Sequence, residues 1–530
     1  MAKEKNFLKE AAILGAAGIV IKILGAVFKI PLANLLGDEG MSYFQSAYPI
    51  YIYIMIASSA GLPTAIAKMV SKRETKNDYL GIRQVFKVAF YILSTIGAIF
   101  FALVFFNAEK IVALAGNDPE AVYALRAIAP AIFLVSMMSC FRGFFQGLQN
   151  LKPYAISQII EQIFRVVFGL GLVVFFLDDS LALAAAGGTF GAAIGGFFGL
   201  VFMVIYYLKI RKDVFDYKNL GTSDTESNWF ILKRLFQIAV PITIGASVIP
   251  MMNLIDLFLV IKRLKSIGII EQANNLYGQL TGYANTLINL PAVLTASVQI
   301  SLVPAVTQLK LANIKKMKYT IKAGMRIAIL IGLPASIGLS VMSYEIMSLL
   351  YFSQPEILNS ISSILNVLGF GVIFLSTYQV TTGILQGLDK QYIPVRNLFI
   401  GALLKIILAY ILVGIPSLNI LGAAIATVVA YATGAILNVI SVVKYSNIDL
   451  NIKEIFFKPL LAALTMGVVA KISFKILSLF IMIKISTVLS IVIAAFIYLI
   501  LLFKFDIIKD RDLDFVPAGD KLKIIREKLI

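Results

Sequence analysis

The chain has 530 residues, of which 59% are hydrophobic and 14% are charged, and its formal net charge is +18. Soluble domains carry about a quarter charged residues, so this composition excludes an ordinary soluble protein and indicates an integral membrane protein. The chain contains no histidine and a single cysteine, Cys140. These counts exclude an internal disulfide and argue against a zinc, haem or redox enzyme, so we expect no cofactor.

Apolar segments follow one another along the whole chain, and each is long enough to cross a hydrocarbon core of roughly 30 Å. The first one lacks a small-residue cleavage site at its end, so we interpret it as a membrane helix and not as a signal peptide. The predicted fold is an all-α integral membrane protein with about 14 transmembrane helices. They are expected near residues 11–36, 43–68, 84–106, 122–147, 154–177, 181–208, 231–261, 273–308, 319–343, 358–386, 393–415, 418–443, 457–481 and 485–503.

The basic residues are distributed unevenly among the predicted loops. Most of them lie at the N-terminus, in every second loop and in the C-terminal tail, whereas the opposite loops hold Lys110, Lys262, Arg263, Lys265 and Lys484. Because basic residues collect on the cytoplasmic side of membrane proteins, both termini are expected to be cytoplasmic. The positive charge is thus a topology signal, and we expect no nucleic-acid partner.

The sequence contains an internal repeat. Gln146-Gly147-Leu148 recurs as Gln386-Gly387-Leu388, and Arg165 has a basic counterpart in Lys405, each 240 residues later. Six spans per repeat return the chain to the same side, which predicts two parallel repeats with a site near the bilayer midplane, as in transporters. The predicted parts are a six-helix lobe (1–210), a cytoplasmic linker (211–230), a second six-helix lobe (231–445), helices 13 and 14 (446–504) and a cytoplasmic tail (505–530).

Charged residues inside the apolar segments are functional candidates, because a lysine at the centre of a membrane helix costs about 2.5–3.5 kcal/mol on insertion scales. Lys22 and Lys29 are seven residues apart, so they share one face of the first helix. Such a face suits an anionic ligand. For Lys29 the alternative is that its side chain extends to the membrane interface.

Other polar residues fall in or beside the predicted helices. Glu161 and Arg165, four residues apart, either neutralise each other or leave Arg165 to face Lys405 across a cavity. Asn253 and Asp256 form a polar face that suits a coupling cation or a counter-ion to the lysines. Arg142 lies near the cytoplasmic end of the fourth helix, and we expect Lys262 and Arg263 to line the outer mouth of the cavity.

Three stretches resemble a known family. They are KILGAVFKIPLANLLG in the first helix, RGFFQGLQNLKPYAISQIIEQIFR at 142–165 and LYGQLTGYANTLINLPAVLTASVQISLVP at 276–304. Together with the repeat, they resemble the polysaccharide-biosynthesis branch of the multidrug/oligosaccharidyl-lipid/polysaccharide (MOP) exporter superfamily. Within that branch the likeness is to MurJ/SpoVB-type lipid II flippases.

The resemblance implies a transporter, not an enzyme. It would move undecaprenyl-pyrophosphate-linked peptidoglycan precursor, lipid II, from the inner to the outer leaflet of the bacterial cytoplasmic membrane by alternating access. Membrane lipids and the cell-wall synthesis machinery are the implied partners. Helices 13 and 14 match the family's groove for the lipid tail.

The resemblance also implies roles for individual residues. Lys22 falls on the family's first basic position in helix 1, whereas Lys29 lies one residue beyond the second. The basic position on helix 2 has no match, because Ser58 and Ser59 lie there. For a sodium site the resemblance points to Asp256, with Asn397 on helix 11 as a further ligand. Na⁺ or H⁺ stays open as the coupling ion, with Glu161 a second candidate for coupling or for a counter-ion.

Three other functions are consistent with parts of the pattern. A flippase for another polyprenyl-linked glycan, such as a teichoic or capsular unit, would share these features. A cation-coupled multidrug exporter is disfavoured, since it would place carboxylates where the first helix carries lysines. A membrane-embedded glycosyltransferase would need a carboxylate dyad or a large extramembrane loop, and the sequence indicates neither.

Overall fold

The structure is a computed structural model that describes residues 2–59, 61–215, 226–505 and 507. Parts of the predicted linker (216–225) and most of the predicted tail (506 and 508–530) lie outside the described residues. The described chain is mostly helical and contains no strand, which confirms the predicted all-α membrane fold.

The helices form two compact units. The first unit contains Met1–Lys262 and Glu271–Gly278, and the second contains Arg263–Ile270 and Gln279–Ile530. The division falls at the end of a long helix, Asn228–Ser266, whereas the predicted lobes divide at 211–230.

In the first unit the helices are α1 (Ala2–Ser59), α2 (Gly61–Glu74), α3 (Tyr79–Phe106), α4 (Ala108–Ala115), α5 (Ala121–Gly147), α6 (Lys152–Phe176), α7 (Leu181–Phe215), α8 (Asn228–Ser266, to Lys262) and α9 (Ala273–Gly278). The second unit begins with a π-helical turn (Gln279–Ala284). It continues with α10 (Asn285–Ile288), α11 (Pro291–Ala312), α12 (Ile314–Val341), α13 (Ser343–Leu350), a 3₁₀ turn (Pro355–Ile357), α14 (Leu358–Gly369), α15 (Gly371–Gly387), α16 (Tyr392–Val413), α17 (Ile420–Ser446), a second π-helical turn (Lys453–Phe457), α18 (Lys458–Leu477) and α19 (Ile483–Lys504).

Among the described residues, 12 helices are long and apolar enough to span a membrane, or 13 if the bent pair α14 and α15 forms one span. The predicted count of 14 is therefore not confirmed. Val20–Glu74 counts once in this total, although the backbone at Gly37 (φ 66°, ψ −171°) leaves helical geometry. Glycine can adopt this positive φ without steric penalty, which explains a break at that position.

The repeated Gln-Gly-Leu motif has the same packing role in each unit. It ends α5 at Gly147 and α15 at Gly387. A Cβ atom added at Gly147 would lie 2.6 Å from Val70 Cβ, and one added at Gly387 would lie 2.8 Å from Val306 Cβ. Both distances are too short for real contacts, so the glycines permit close approach of α5 to α2 and of α15 to α11.

We expect Gly147→Ala to destabilise the protein by about 1–3 kcal/mol, because the added methyl group would overpack the contact with Val70. The matched control is Gly171→Ala in α6, where nothing lies within 4 Å of an added Cβ. Thermal unfolding of the detergent-solubilised protein should show a lower midpoint for Gly147→Ala and no loss for Gly171→Ala. Equal midpoints for the two variants would contradict this packing role.

Candidate functional site

Three charged side chains form a buried cluster in the first unit. Nη2 of Arg142 donates to Oε2 of Glu161 over 3.0 Å, and Nη2 of Arg165 donates to Oε1 of the same carboxylate over 3.0 Å. Each side chain is only about a tenth exposed. One carboxylate thus neutralises one of two guanidinium groups, and the cluster keeps a net charge of +1.

Neutral polar groups complete this cluster. Nε of Arg142 donates to Ser157 Oγ over 3.1 Å, and its guanidinium lies 5.4 Å from the centre of the Tyr154 ring. Arg165 also reaches the hydroxyl oxygen of Tyr51 in α1 at 3.5 Å. Among the described residues, the Nε–H group of Arg165 has no acceptor. The cluster therefore joins α1, α5 and α6 and retains an unused donor.

The pairing of Glu161 with Arg165 agrees with one of the two alternatives that their spacing left open. The second guanidinium was not foreseen as a partner, because Arg142 lies 19 residues away from Glu161 on another helix.

The second unit has polar residues at the corresponding positions. Thr382, Asn397 and Lys405 each lie 240 residues after Arg142, Ser157 and Arg165. All three are buried, and Lys405 is only 1% exposed. Thr382 and Asn397 are linked by Asn438, whose amide donates to Thr382 Oγ1 (3.2 Å) and accepts from Asn397 Nδ2 (2.9 Å). The repeat thus places a buried polar group at the same three positions in both units.

Asn397 is a poor cation ligand in this arrangement. Its side-chain oxygen accepts hydrogen bonds from Nε and Nη2 of Arg396 at 3.3 and 3.1 Å. The positive guanidinium next to this oxygen repels a second cation. Its two hydrogen bonds also occupy the lone pairs of the Asn397 oxygen that a cation would need.

The two lysines of the first helix have different surroundings. Lys22 is exposed, and no described residue forms an ion pair with it. Lys29 is half-buried, and its ammonium lies 5.2 Å from the centre of the Tyr48 ring, within the range of a cation–π interaction. The Tyr48 ring thus contacts the Lys29 ammonium, whereas the Lys22 side chain is exposed.

The two residues of the predicted polar face of α8 differ in their burial. Asp256 is 1% exposed, whereas Asn253 is exposed. Asp256 thus remains a candidate for cation coupling, and Asn253 is not buried with it.

The two basic residues predicted at the outer mouth also differ. Lys262 is exposed, and its side-chain stem lies close to Gly116. Arg263 donates from Nε to the carbonyl oxygen of Tyr410 (2.9 Å), and its guanidinium lies 4.5 Å from the centre of the Tyr410 ring. Arg263 therefore anchors the end of α8 to α16, a contact that no local sequence pattern indicates.

Comparison with known proteins identifies relatives across nearly the whole chain. Residues 7–310 match the family described as polysaccharide biosynthesis protein, and residues 280–411 match the MatE family. Stage V sporulation protein B of Bacillus subtilis (strain 168) is 28% identical over 86% of both chains. Lipid II flippase MurJ of the same organism is 29% identical over 90% of both chains.

Solved structures share the fold. The lipid II flippase MurJ in an inward closed conformation superposes with a TM-score of 0.69 at 18% identity, covering 93% of this chain and 98% of the other. A multidrug resistance MATE family transporter of the MOP superfamily, inward-facing, has a TM-score of 0.61 at 15% identity, covering 82% and 100%.

Proposed function

Because this chain belongs to the polysaccharide biosynthesis protein family, we propose that it is a flippase that moves lipid II from the inner to the outer leaflet of the bacterial cytoplasmic membrane. Its relatives and structural neighbours are transporters of the MOP superfamily and not enzymes. The coarser function is the transport of a lipid-linked glycan. Lipid II as the cargo, alternating access and cytoplasmic termini are the parts that we propose.

The observation that carries the proposal is the exposed side chain of Lys22 in an apolar helix, seven residues before Lys29. A diphosphate carries about two negative charges, and charge-assisted hydrogen bonds to it are about twice as strong as neutral ones. We assign Lys22 as the principal ligand of the diphosphate and Lys29 as a secondary one. The buried cluster of Arg142, Glu161 and Arg165 adds positive potential, and we assign Lys405, Lys262 and Arg263 only a long-range electrostatic role.

We assign the polyprenyl chain to the outer face of α18 and α19. Both helices expose large apolar side chains, among them Leu464 and Val468 on α18 and Val492 and Phe496 on α19. Tyr498 of α19 donates to the carbonyl oxygen of Leu330 (3.1 Å), which holds this helix pair against α12. An apolar surface of this kind allows the chain of the lipid to stay in hydrocarbon while its headgroup moves.

The direct test is complementation of a bacterial strain depleted of its lipid II flippase. Expression of this chain should restore growth and raise the amount of lipid II accessible in the outer leaflet. A chain that is inserted and abundant but leaves lipid II in the inner leaflet would overturn the choice of cargo. If it instead externalises another polyprenyl-linked glycan in the same assay, such as a teichoic or capsular unit, the second candidate function is supported.

We expect Asp256→Asn to abolish the response of transport to a cation gradient, because it removes a buried carboxylate without changing its size. Transport by reconstituted protein is measured with an imposed Na⁺ gradient, with a pH gradient and without either. The control is Asn253→Ala, an exposed residue one helical turn away, which should retain the response. Unchanged gradient dependence in Asp256→Asn would remove the coupling role.

A further inference from the structure

A basic pocket lies in the first unit, away from the lysines of the first helix. Its volume is about 540 Å³, and its charged lining residues are Lys68, Lys72, Arg73 and Arg234. It is formed by the last two turns of α2 with Thr75 just beyond them, and by the second and third turns of α8. The pocket lies at the C-terminal end of one candidate membrane span (Val20–Glu74) and near the N-terminal end of another (Asn228–Ser266), which places it near a membrane surface.

One of the four cations is already neutralised. Arg73 is buried and forms ion pairs with Glu226, through Nη2, and with Asp78, through Nε at 3.7 Å. Gln84 donates to the backbone oxygen of Glu226 at 2.7 Å, which fixes this arrangement. Arg73 is therefore a structural wall of the pocket.

The remaining three cations differ from Arg73. Within the described ranges, Lys68, Lys72 and Arg234 form no ion pair. Lys68 and Lys72 are four residues apart on one helical face, where like charges destabilise a helix. An anion bound between them would relieve this repulsion. The same pocket offers neutral donors from Ser71 and Gln237, whereas the Thr75 hydroxyl donates to the carbonyl oxygen of Lys72 (2.9 Å).

We propose that this pocket binds a phosphate group, the chemistry shared by an anionic lipid headgroup and a soluble phosphate compound. Three cations with hydroxyl and amide donors match the charge and the acceptor oxygens of a phosphate. The pocket also has an apolar wall, formed by Met69 and Ile238. That wall and the pocket's position at helix ends near the membrane surface favour a lipid as the source. This inference does not depend on which cargo the protein moves.

The single tryptophan of the chain provides a reporter for the test. Trp229 lies five residues before Arg234 on α8 and is 71% exposed. The full-length protein is reconstituted in phosphatidylcholine, and quenching of Trp229 is measured as brominated phosphatidylglycerol or brominated phosphatidylcholine is added. The test variant is Lys68→Gln/Lys72→Gln/Arg234→Gln, which leaves Arg73 and its ion pairs intact.

The matched control is Lys315→Gln/Lys316→Gln/Lys318→Gln at the start of α12, which removes the same charge from another helix end. Each basic residue near a charged membrane surface contributes about fivefold in affinity for an anionic lipid. The preference is the ratio of the affinity for phosphatidylglycerol to that for phosphatidylcholine, measured by quenching of Trp229. We expect this ratio to fall at least tenfold in the test variant and to change less than twofold in the control. Thermal unfolding midpoints of both variants verify that they are folded.

A second arm separates the two sources of phosphate. Sodium pyrophosphate is added to protein in neutral lipid, with sodium chloride of the same ionic strength as the reference. One outcome is that pyrophosphate raises the unfolding midpoint of the original protein but not of the test variant, while the lipid preference is the same in both. That result supports a phosphate site in the pocket whose ligand is a soluble compound. The proposal is overturned if the test and control variants behave alike in both arms.

Discussion

Replacing Lys22 with alanine is expected to reduce outward translocation of lipid II at least tenfold in a reconstituted or cellular assay. A hydrogen bond to a charged group contributes about 1.5–3 kcal/mol, which corresponds to about 10- to 150-fold in binding. Lys22 is exposed, so its removal leaves no buried carboxylate unpaired. The protein should therefore stay inserted and folded while transport is lost.

Two further variants make this result specific. Lys22→Arg keeps the positive charge and should retain part of the transport. Lys87→Ala removes another exposed helical lysine, on α3, and should leave transport unchanged. Normal appearance of lipid II in the outer leaflet with a well-expressed Lys22→Ala protein would refute the assignment of Lys22 as the principal ligand.

Replacing Glu161 with glutamine is expected to destabilise the protein by about 3–5 kcal/mol. The substitution preserves the size of the side chain but leaves the guanidinium groups of Arg142 and Arg165 buried without a counter-charge, and breaking a buried ion pair has this magnitude. The measurement is the free energy or midpoint of unfolding in a fixed detergent.

The control for Glu161→Gln is the same substitution in an exposed ion pair. Glu109 pairs with Arg126 over 2.8 Å, and their side chains are 72% and 39% exposed. Glu109→Gln should cost at most about 1 kcal/mol, because solvent screens such a pair. If the two variants lose the same stability, the buried cluster does not have the role assigned to it.

A triple replacement separates stability from transport at this cluster. Buried ion triads can be replaced by apolar residues with little loss of stability, so Arg142→Met/Glu161→Leu/Arg165→Met should recover most of the stability lost in Glu161→Gln. If the cluster also supplies positive potential to the cargo, transport should stay impaired in this stable variant. Full transport would assign the cluster a structural role alone.

Much of the local chemistry followed from spacing along one helix. The four-residue spacing of Glu161 and Arg165 offered an ion pair as one of two alternatives, and the structure contains that pair. The 240-residue repeat pairs Gly147 with Gly387, and the structure gives each of them an equivalent valine neighbour. Helical geometry is sufficient for the pair, because both of its residues lie on one helix, whereas the valine contacts join different helices and only the structure shows them.

The contacts between helices were not foreseen. These contacts depend on which neighbouring helix each helix face packs against. Examples are the ion pair of Arg142 with Glu161, the hydrogen bond from Arg263 to Tyr410 and the different burial of Asn253 and Asp256. The pocket of Lys68, Lys72 and Arg234 has the same origin, since its residues come from helices far apart in the chain.

The sequence by itself determined the membrane class, the all-α fold, the repeat and the cationic character of the first helix, because hydropathy, charge and helical period are properties of a single segment. Only the tertiary structure decided which charges are paired and which are available. Helical periodicity sets the angle between side chains on one helix, but the rotation of that helix against its neighbours is set by packing over the whole unit. Lys22 and Lys29 illustrate the division: their shared face could be predicted, whereas the aromatic ring beneath Lys29 and the exposure of Lys22 could not.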